Sequence, residues 1–166
     1  DIIRPKKDDP IEKLLNTNII KHTESGKIII AGYGDILTRL ANCCNPVLGD
    51  DIVGYITKGS GVLIHRKDCK NINLSDPRII DAEWNDKIMD KYISRITVHL
   101  NSSNDNLANI INIATKYDVN ITSINNNGKQ GFDEIYDLLI KVKNKETLNK
   151  FMIELNSMNF INKVER

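Results

Sequence analysis

The chain has 166 residues, of which 40% are apolar, so its length suits one medium domain or two small ones. Its 23 basic and 22 acidic residues leave a formal net charge of +1, which argues against a broadly basic nucleic-acid-binding protein. Any contact with RNA therefore requires a local basic patch. No run approaches the roughly 20 apolar residues that span a bilayer. The chain starts with neither methionine nor the apolar stretch of a signal peptide, so we expect a piece of a cytoplasmic protein with no membrane partner.

The first 25 residues are polar and contain Pro5, Pro10 and a run of four charges. This composition predicts a linker over residues 1–25. Within it, Ile11, Leu14 and Leu15 would share one face of a short helix.

Residues 26–84 predict a small β-rich module with one short helix. Asp35 favours capping of a helix that carries Ile36, Leu37 and Leu40. A glycine-rich tetrapeptide at 58–61 predicts a tight hairpin turn. The predicted strands are 27–31, 51–56, 62–65 and 79–84.

Residues 85–91 are polar, and we place a domain boundary at this connection. Residues 92–166 predict the order strand-helix-strand-strand-helix-strand, which is the ferredoxin-like arrangement of an α+β fold. Helices are then expected on one face of an antiparallel sheet. The predicted elements are a strand at 95–100, a helix at 107–114, a strand at 119–124, a turn at 125–128, a strand at 135–142, a helix at 148–155 and a strand at 161–164.

The strand at 135–142 has apolar side chains on both faces. Leu138 belongs to the face turned towards the helices, whereas Ile135 and Leu139 belong to the other face. This pattern favours a partner over the second face, either another copy of the chain or the first module. The alternative is shielding by loops.

Three cysteines and one histidine carry most of the chemical information. An odd number of cysteines without an export signal predicts reduced thiols or metal ligands. Cys43, Cys44, His65 and Cys69 suit zinc, because the hairpin can return His65 and Cys69 to the loop that contains the other two. Adjacent cysteines point apart in an extended chain, so both can bind one ion only at a kink; otherwise a residue such as Asp50 must complete the site.

Two other interpretations of this constellation stay open. In the first, one cysteine is a buried packing residue and His65 makes ordinary polar contacts. Alternatively, a Cys–His pair acts as a nucleophile and its base, although no orienting group is evident. Basic residues flank the same region, where they form either a phosphate-binding patch or a solvated rim. These residues are Arg39, Lys58, Arg66 and Lys67, with Lys70 nearby.

A family resemblance follows from three motifs: Cys43-Cys44-Asn45-Pro46, Gly54-Tyr55-Ile56-Thr57 and His65-Arg66-Lys67-Asp68-Cys69. They resemble the zinc-finger-like module, also called RIS, of long RelA/SpoT homologues, which are (p)ppGpp synthetases and hydrolases. The segment 80–84 is similar to the closing strand of that module. Residues 92–166 resemble the ACT domain that follows it, so the resemblance covers about residues 26–166.

The resemblance implies a regulatory role in the stringent response. Family members make (p)ppGpp with amino-terminal domains as GTP pyrophosphokinases, and some degrade it, so this segment is expected to control catalysis without being an enzyme itself. Its expected partners are large-subunit ribosomal RNA, the tRNA-bound A site, the catalytic domains of the parent chain and, through the ACT domain, a second copy. The four Cys and His residues match the family's motif, with zinc as a candidate cofactor.

The resemblance also suggests that the ACT domain binds an amino acid. Some related ACT domains bind branched-chain amino acids at a loop of the form Asp-Arg-x-Gly-Leu, for which the candidates here are Asn104, Asn106 and Leu107. Asn106 replaces the glycine and hinders close approach of a ligand to the backbone. A stand-alone amino-acid-sensing ACT dimer is therefore the alternative function.

Overall fold

The computed structural model describes residues 26–30, 36–101 and 106–166. The predicted linker with its short helix lies outside these residues, as do Asp35 and Asn104. The chain divides into two compact units: one has residues up to Pro46 and Asp50–Met89, the other Val47–Gly49 and Asp90–Arg166. The boundaries expected at 26–84, 85–91 and 92–166 stay predictions. Within the described residues, no helix has both the length and the apolar character needed to cross a bilayer.

The first unit is a single five-stranded sheet with the strand order β1-β5-β3-β4-β2. Each of the four strands predicted for this unit is present. The strand β2 was not predicted, and it runs parallel to β4, whereas all other neighbours are antiparallel. The strands are β1 (Ile28–Ile30), β2 (Thr38–Leu40), β3 (Ile52–Ile56), β4 (Val62–Arg66) and β5 (Ile79–Trp84).

The short helix predicted around residues 36–40 is wrong, because Thr38–Leu40 is a strand. Three apolar residues over five positions fit a helix and a strand about equally well. Tertiary pairing decides for the strand, since Arg39 lies opposite Leu63 in a parallel register. The described residues of the first unit contain no α-helix.

The two faces of this sheet differ in what covers them. One face carries the main apolar core, formed by Ile30, Ile52, Ile56, Val62 and Ile64. On the other face, the loops that follow β2 and β4 pack a smaller cluster near the end of β4. That cluster consists of Ala41, Cys44 and Cys69, with Leu63 and Ile72 against it.

The second unit confirms the ferredoxin-like order that the sequence predicts. Its four strands form an antiparallel sheet with the order β7-β8-β6-β9. Alternate residues of β6 and β8 are buried beneath the two helices, whose own buried residues include Ile110 and Phe151. The elements are β6 (Tyr92–Asn101), α1 (Asn106–Lys116), β7 (Asn120–Gln130), β8 (Asp133–Val142), α2 (Lys145–Asn156) and β9 (Ile161–Glu165).

The turn predicted at 125–128 is wrong, because β7 continues to Gln130 and the chain reverses at Gly131 and Phe132. The register shifts between Asn126 and Lys129, so that two residues of β7 lie opposite one residue of β8. This is a β-bulge, and Gly128 within it has a φ of +90°. Asparagine and glycine therefore form an irregularity inside the strand, where the sequence pattern alone indicates a turn.

At Gly61 the hairpin turn packs closely against the segment before β2. Its φ is +78°, and an added Cβ would lie 2.4 Å from the carbonyl oxygen of Leu37. Gly26 also has a positive φ, of +95°, but an added Cβ there meets Ile88 at an ordinary 3.5 Å. We expect Gly61→Ala to lower the free energy of unfolding by about 3 kcal/mol and Gly26→Ala by about 1 kcal/mol, measured by urea denaturation. Equal losses would contradict the close approach of Leu37.

Candidate metal centre

Four potential ligand atoms converge on one point of the first unit. The Sγ atoms of Cys43, Cys44 and Cys69 and one ring nitrogen of His65 all lie within 4.8 Å of one another. The Cys43 sulfur lies 3.4 Å from His65 Nδ1, 3.6 Å from the Cys69 sulfur and 4.0 Å from the Cys44 sulfur. The Cys44 sulfur lies 3.9 Å from His65 Nδ1. The structure thus brings together all four residues that the sequence singled out.

The parallel pairing of β2 with β4 explains this convergence. Parallel strands end at the same edge of a sheet, so the loop after β2 and the turn after β4 start side by side. The first supplies Cys43 and Cys44, and the second supplies Cys69. His65 lies on β4 itself, on the face opposite the main core.

A tight turn allows the two adjacent cysteines to face the same point. The amide of Asn45 donates a hydrogen bond to the carbonyl oxygen of Ala41 at 2.9 Å, which closes the turn around them. Asn45 has a φ of +45°, a conformation that asparagine tolerates better than most residues. This turn is the kink that two neighbouring ligands require. The group of converging ligand atoms does not include Asp50.

The spacing of these atoms fits a tetrahedral zinc site. Zinc lies about 2.3 Å from thiolate sulfur and about 2.0 Å from imidazole nitrogen. In a tetrahedron of that size, two sulfur ligands are about 3.8 Å apart and a sulfur and a nitrogen about 3.5 Å apart. Four of the six separations are 3.4 to 4.0 Å and agree with these edges, and all six lie within 4.8 Å. Three sulfurs and one imidazole could therefore hold a metal ion with little movement.

Burial controls protonation within the cluster. Cys44 and Cys69 are each 9% exposed, whereas Cys43 is exposed. Burial raises the pKa of the Cys44 thiol to about 12, although the Arg66 amide, which donates to its sulfur at 3.4 Å, favours the thiolate. Burial also lowers the pKa of His65, so its imidazole is neutral at pH 7. Without a bound metal ion, Cys44 is a poor nucleophile, because its thiol stays protonated at pH 7. A bound metal ion would stabilise its thiolate.

The four basic residues predicted to contact RNA do not form one cluster. Arg66 and Lys67 lie beside the Cys/His cluster, where Arg66 Nε is 3.0 Å from Asp68 Oδ1. Arg39 projects from β2, opposite Leu63. Lys58 lies in the turn at the other end of the β3–β4 hairpin, about 13 Å away along the strands. RNA contact by these residues stays a prediction.

The hydrogen bond between Arg78 and Tyr55 is a further polar contact of this unit that no motif predicted. Arg78 Nη1 donates a hydrogen bond to the hydroxyl of Tyr55 at 2.9 Å. The two residues are 23 positions apart, and only the pairing of β3 with β5 makes them neighbours. No short-range pattern in the sequence signals such a pair.

The amino-acid-binding candidates of the second unit are only partly described. Asn104 lies outside the described residues. Asn106 is 4% exposed, and its Nδ2 donates a hydrogen bond to the Asn101 carbonyl oxygen at 2.8 Å. Leu107 is half-buried in the first turn of α1. The side chain of Asn106 is thus used within the fold, and the predicted ligand site stays a prediction.

Comparisons with known proteins agree with the motifs. Residues 28–85 match the RelA/SpoT RIS domain. A GTP pyrophosphokinase from Escherichia coli is 30% identical over 141 residues, which cover 81% of this chain and 19% of the relative. One from Streptomyces coelicolor is 33% identical over 99 residues, which cover 58% of this chain and 12% of the relative. The chain thus spans about a fifth or less of these relatives.

The comparison with solved structures gives partial matches. The crystal structure of the ACT domain from GTP pyrophosphokinase of Chlorobium tepidum covers 46% of this chain and 97% of that domain, with 26% identity and a TM-score of 0.40. The assignment of the ferredoxin-like fold itself depends on the strand order. Residues 28–85 therefore belong to the RelA/SpoT RIS domain family, and the chain is homologous to the carboxy-terminal region of GTP pyrophosphokinases.

Proposed function

We propose that this segment is the part of a (p)ppGpp synthetase/hydrolase that senses the state of the ribosome. In this proposal the RIS domain contacts large-subunit ribosomal RNA near the tRNA-bound A site, and the contact controls catalytic domains elsewhere in the parent protein. The observation that carries the proposal is the Cys/His cluster with exposed Lys67 at its rim, within residues that match the RIS domain. A ribosomal partner also places the action of the protein in the cytoplasm.

A regulatory role suits the chemistry of the cluster better than catalysis does. The raised pKa of Cys44 disfavours the thiolate that a nucleophile needs. The Cys43 sulfur lies 3.4 Å from His65 Nδ1, but it lies almost as close to the Cys69 sulfur, at 3.6 Å. Such mutual contacts suit a closed structural site, where no open position remains for a substrate. We therefore assign no turnover to this segment.

We propose zinc as the ion held by Cys43, Cys44, His65 and Cys69. Bound there, zinc would supply the positive charge that stabilises buried thiolates, and it would tie the loop after β2 to the turn after β4. The Arg66 amide, which donates to the Cys44 sulfur at 3.4 Å, lies at the end of β4, so closure of the site also orients the adjacent basic residues Arg66 and Lys67. The ion is thus proposed to have a structural role.

We propose that the ACT domain pairs with a second copy through the sheet face opposite its helices. On this face Ile93 is 45% exposed, and Ile135 and Leu139 are only partly buried. Their neighbours on β6 and β8 include the hydrogen-bonded pair Thr97 and Asp137, 2.8 Å apart. A face with apolar side chains among polar and charged groups suits a moderate, polar-rimmed interface.

The second candidate function, an amino-acid-sensing ACT dimer, has less support. The candidate residue Asn106 is buried, and its side chain already donates a hydrogen bond to the Asn101 carbonyl oxygen, so it is not free to bind a ligand. We therefore rank dimerisation above ligand sensing for this domain.

Metal content tests the zinc proposal directly. Mass spectrometry of protein purified without chelators should find about one zinc per chain, and His65→Gln or Cys44→Ser should reduce this to near zero. His99→Gln is the matched control, because His99 belongs to the second unit and lies 3.6 Å from Glu165. Wild-type protein without metal, or an unchanged content in His65→Gln, would contradict the proposal.

Co-sedimentation with purified large ribosomal subunits tests the proposed RNA contact. Lys67→Ala should weaken binding and reduce the slope of log affinity against log salt by about one, as expected for one lost phosphate contact. Lys150→Ala is the control, since Lys150 is exposed on α2 and pairs with Glu146 at 3.0 Å. If the wild-type protein fails to co-sediment even at low salt, the function proposed here is wrong.

Sedimentation equilibrium tests the proposed dimer. Ile93→Lys places a charge on the open sheet face and should raise the dissociation constant of the dimer at least about tenfold. Ile153→Lys makes the same chemical change on α2, where Ile153 is 71% exposed, and should leave association unchanged. A monomeric wild-type protein at high concentration, or an equal effect of both variants, would argue against this interface.

A further inference from the structure

We propose that the sheet face around Tyr55 and Arg78 binds an unpaired nucleotide by stacking its base on the tyrosine ring. This inference rests on the proposed contact with RNA and deepens it in two respects. It adds two residues outside the predicted basic set. It also specifies the class of RNA: a loop or single strand with exposed bases, not a continuous duplex.

Four residues form a row across the sheet on one face. Tyr55 lies opposite Ile79 on one side and Leu63 on the other, and Leu63 lies opposite Arg39. Because neighbouring strands are about 4.8 Å apart, the row is about 14 Å wide. Arg39 is exposed and the other three side chains are partly exposed. The row is therefore a partly exposed and mostly apolar surface, about as wide as four stacked bases at about 3.4 Å per base.

The contact between Arg78 and Tyr55 leaves the aromatic ring available for stacking. The guanidinium carbon of Arg78 is 5.9 Å from the ring centroid, while Nη1 is only 2.9 Å from the hydroxyl oxygen. These distances place the guanidinium beyond the hydroxyl end of the ring, not against its face. The hydrogen bond fixes the orientation of the ring and presents the remaining donors of Arg78 next to it, where the phosphate of a stacked nucleotide would lie.

The distribution of charge limits where a nucleic acid can lie on this face. Arg78 and Arg39 are at the two ends of the row, and Lys58 is in the adjacent hairpin turn. Two residues further along β5, the exposed Asp81 lies on the same face, and Glu83 follows it. A phosphate backbone is attracted to the row and repelled beyond it. We infer that the strand crosses the sheet along the row instead of following β5.

This combination of groups selects unpaired nucleotides. A base in a continuous duplex is stacked on both faces and cannot reach an aromatic side chain, whereas a base in a loop can. Stacking on an aromatic ring tolerates any base, and nearby arginines add attraction to the phosphates. A sheet that carries an aromatic ring, an apolar floor and flanking cations is thus suited to single-stranded RNA.

Binding of oligoadenylate and of a fully paired RNA duplex of equal length tests the inference. The wild-type chain should prefer oligoadenylate, and Tyr55→Leu should weaken that binding about tenfold without changing its salt slope, because it removes stacking but no charge. Tyr55→Phe keeps the ring and should retain most of the affinity. Arg78→Ala should weaken binding and lower the salt slope by about one. Lys87→Ala, which removes one exposed charge outside the row, is the matched control.

The outcomes separate this inference from the proposed function. If the wild-type chain co-sediments with large ribosomal subunits but Tyr55→Leu binds them and oligoadenylate as well as wild type, the stacking inference is overturned and the ribosomal function remains. An equal preference of the wild-type chain for duplex and oligoadenylate overturns it as well. If the wild-type chain binds neither ribosomal subunits nor RNA, both proposals fail. If Tyr55→Leu does not fold, the affinities of Arg78→Ala and Lys87→Ala for oligoadenylate are compared instead. An equal affinity of these two variants overturns the inference.

Discussion

The parallel pairing of β2 with β4 is the constraint on which the rest of the first unit depends. It places the ends of two strands at one edge of the sheet, so that residues 26 positions apart, such as Cys43 and Cys69, come within 3.6 Å. An antiparallel neighbour would direct the two loops to opposite edges and separate the ligands. Only three residues form β2, and a bound ion would reinforce this short pairing by tying both loops together.

A metal ion would add much to the stability of a small sheet that has only one well-covered face. Units of this size bury a modest fraction of their surface, and many of them add a metal or disulfides to the stability that their core supplies. The core of the first unit consists mainly of isoleucine and valine on a single face. The opposite face holds the small cluster around Ala41, against which Leu63 packs, and it leaves Arg39 exposed and Tyr55 partly exposed. The residues that stabilise the sheet therefore lie mainly on one face, and the residues proposed to contact RNA lie on the other.

The two units use their sheets in different ways. In the second unit, both helices cover one face, and the other face carries Ile93 and Leu139 together with polar residues such as Thr97 and Asp137. In the RIS domain, loops cover part of the second face at the Cys/His cluster, and the basic residues Arg66 and Lys67 lie beside this cluster. The proposed RNA contact and the proposed pairing thus involve different sheets, so each can be tested by substitutions that leave the other unchanged.

Hydrophobic periodicity determined most of the architecture. The alternation along β6 and the helical spacing of Leu148, Phe151 and Leu155 predict the ferredoxin-like order, because long amphipathic elements encode their own faces. The motifs around Cys43 and His65 were sufficient to single out the metal-ligand candidates and the family. Tertiary structure decided the rest. A three-residue strand such as β2 has no periodicity of its own, the bulge at Gly128 depends on pairing with β8, and the contact of Arg78 with Tyr55 exists only because β5 lies beside β3. Short segments take their conformation from their neighbours, and the sequence does not state which neighbours those are.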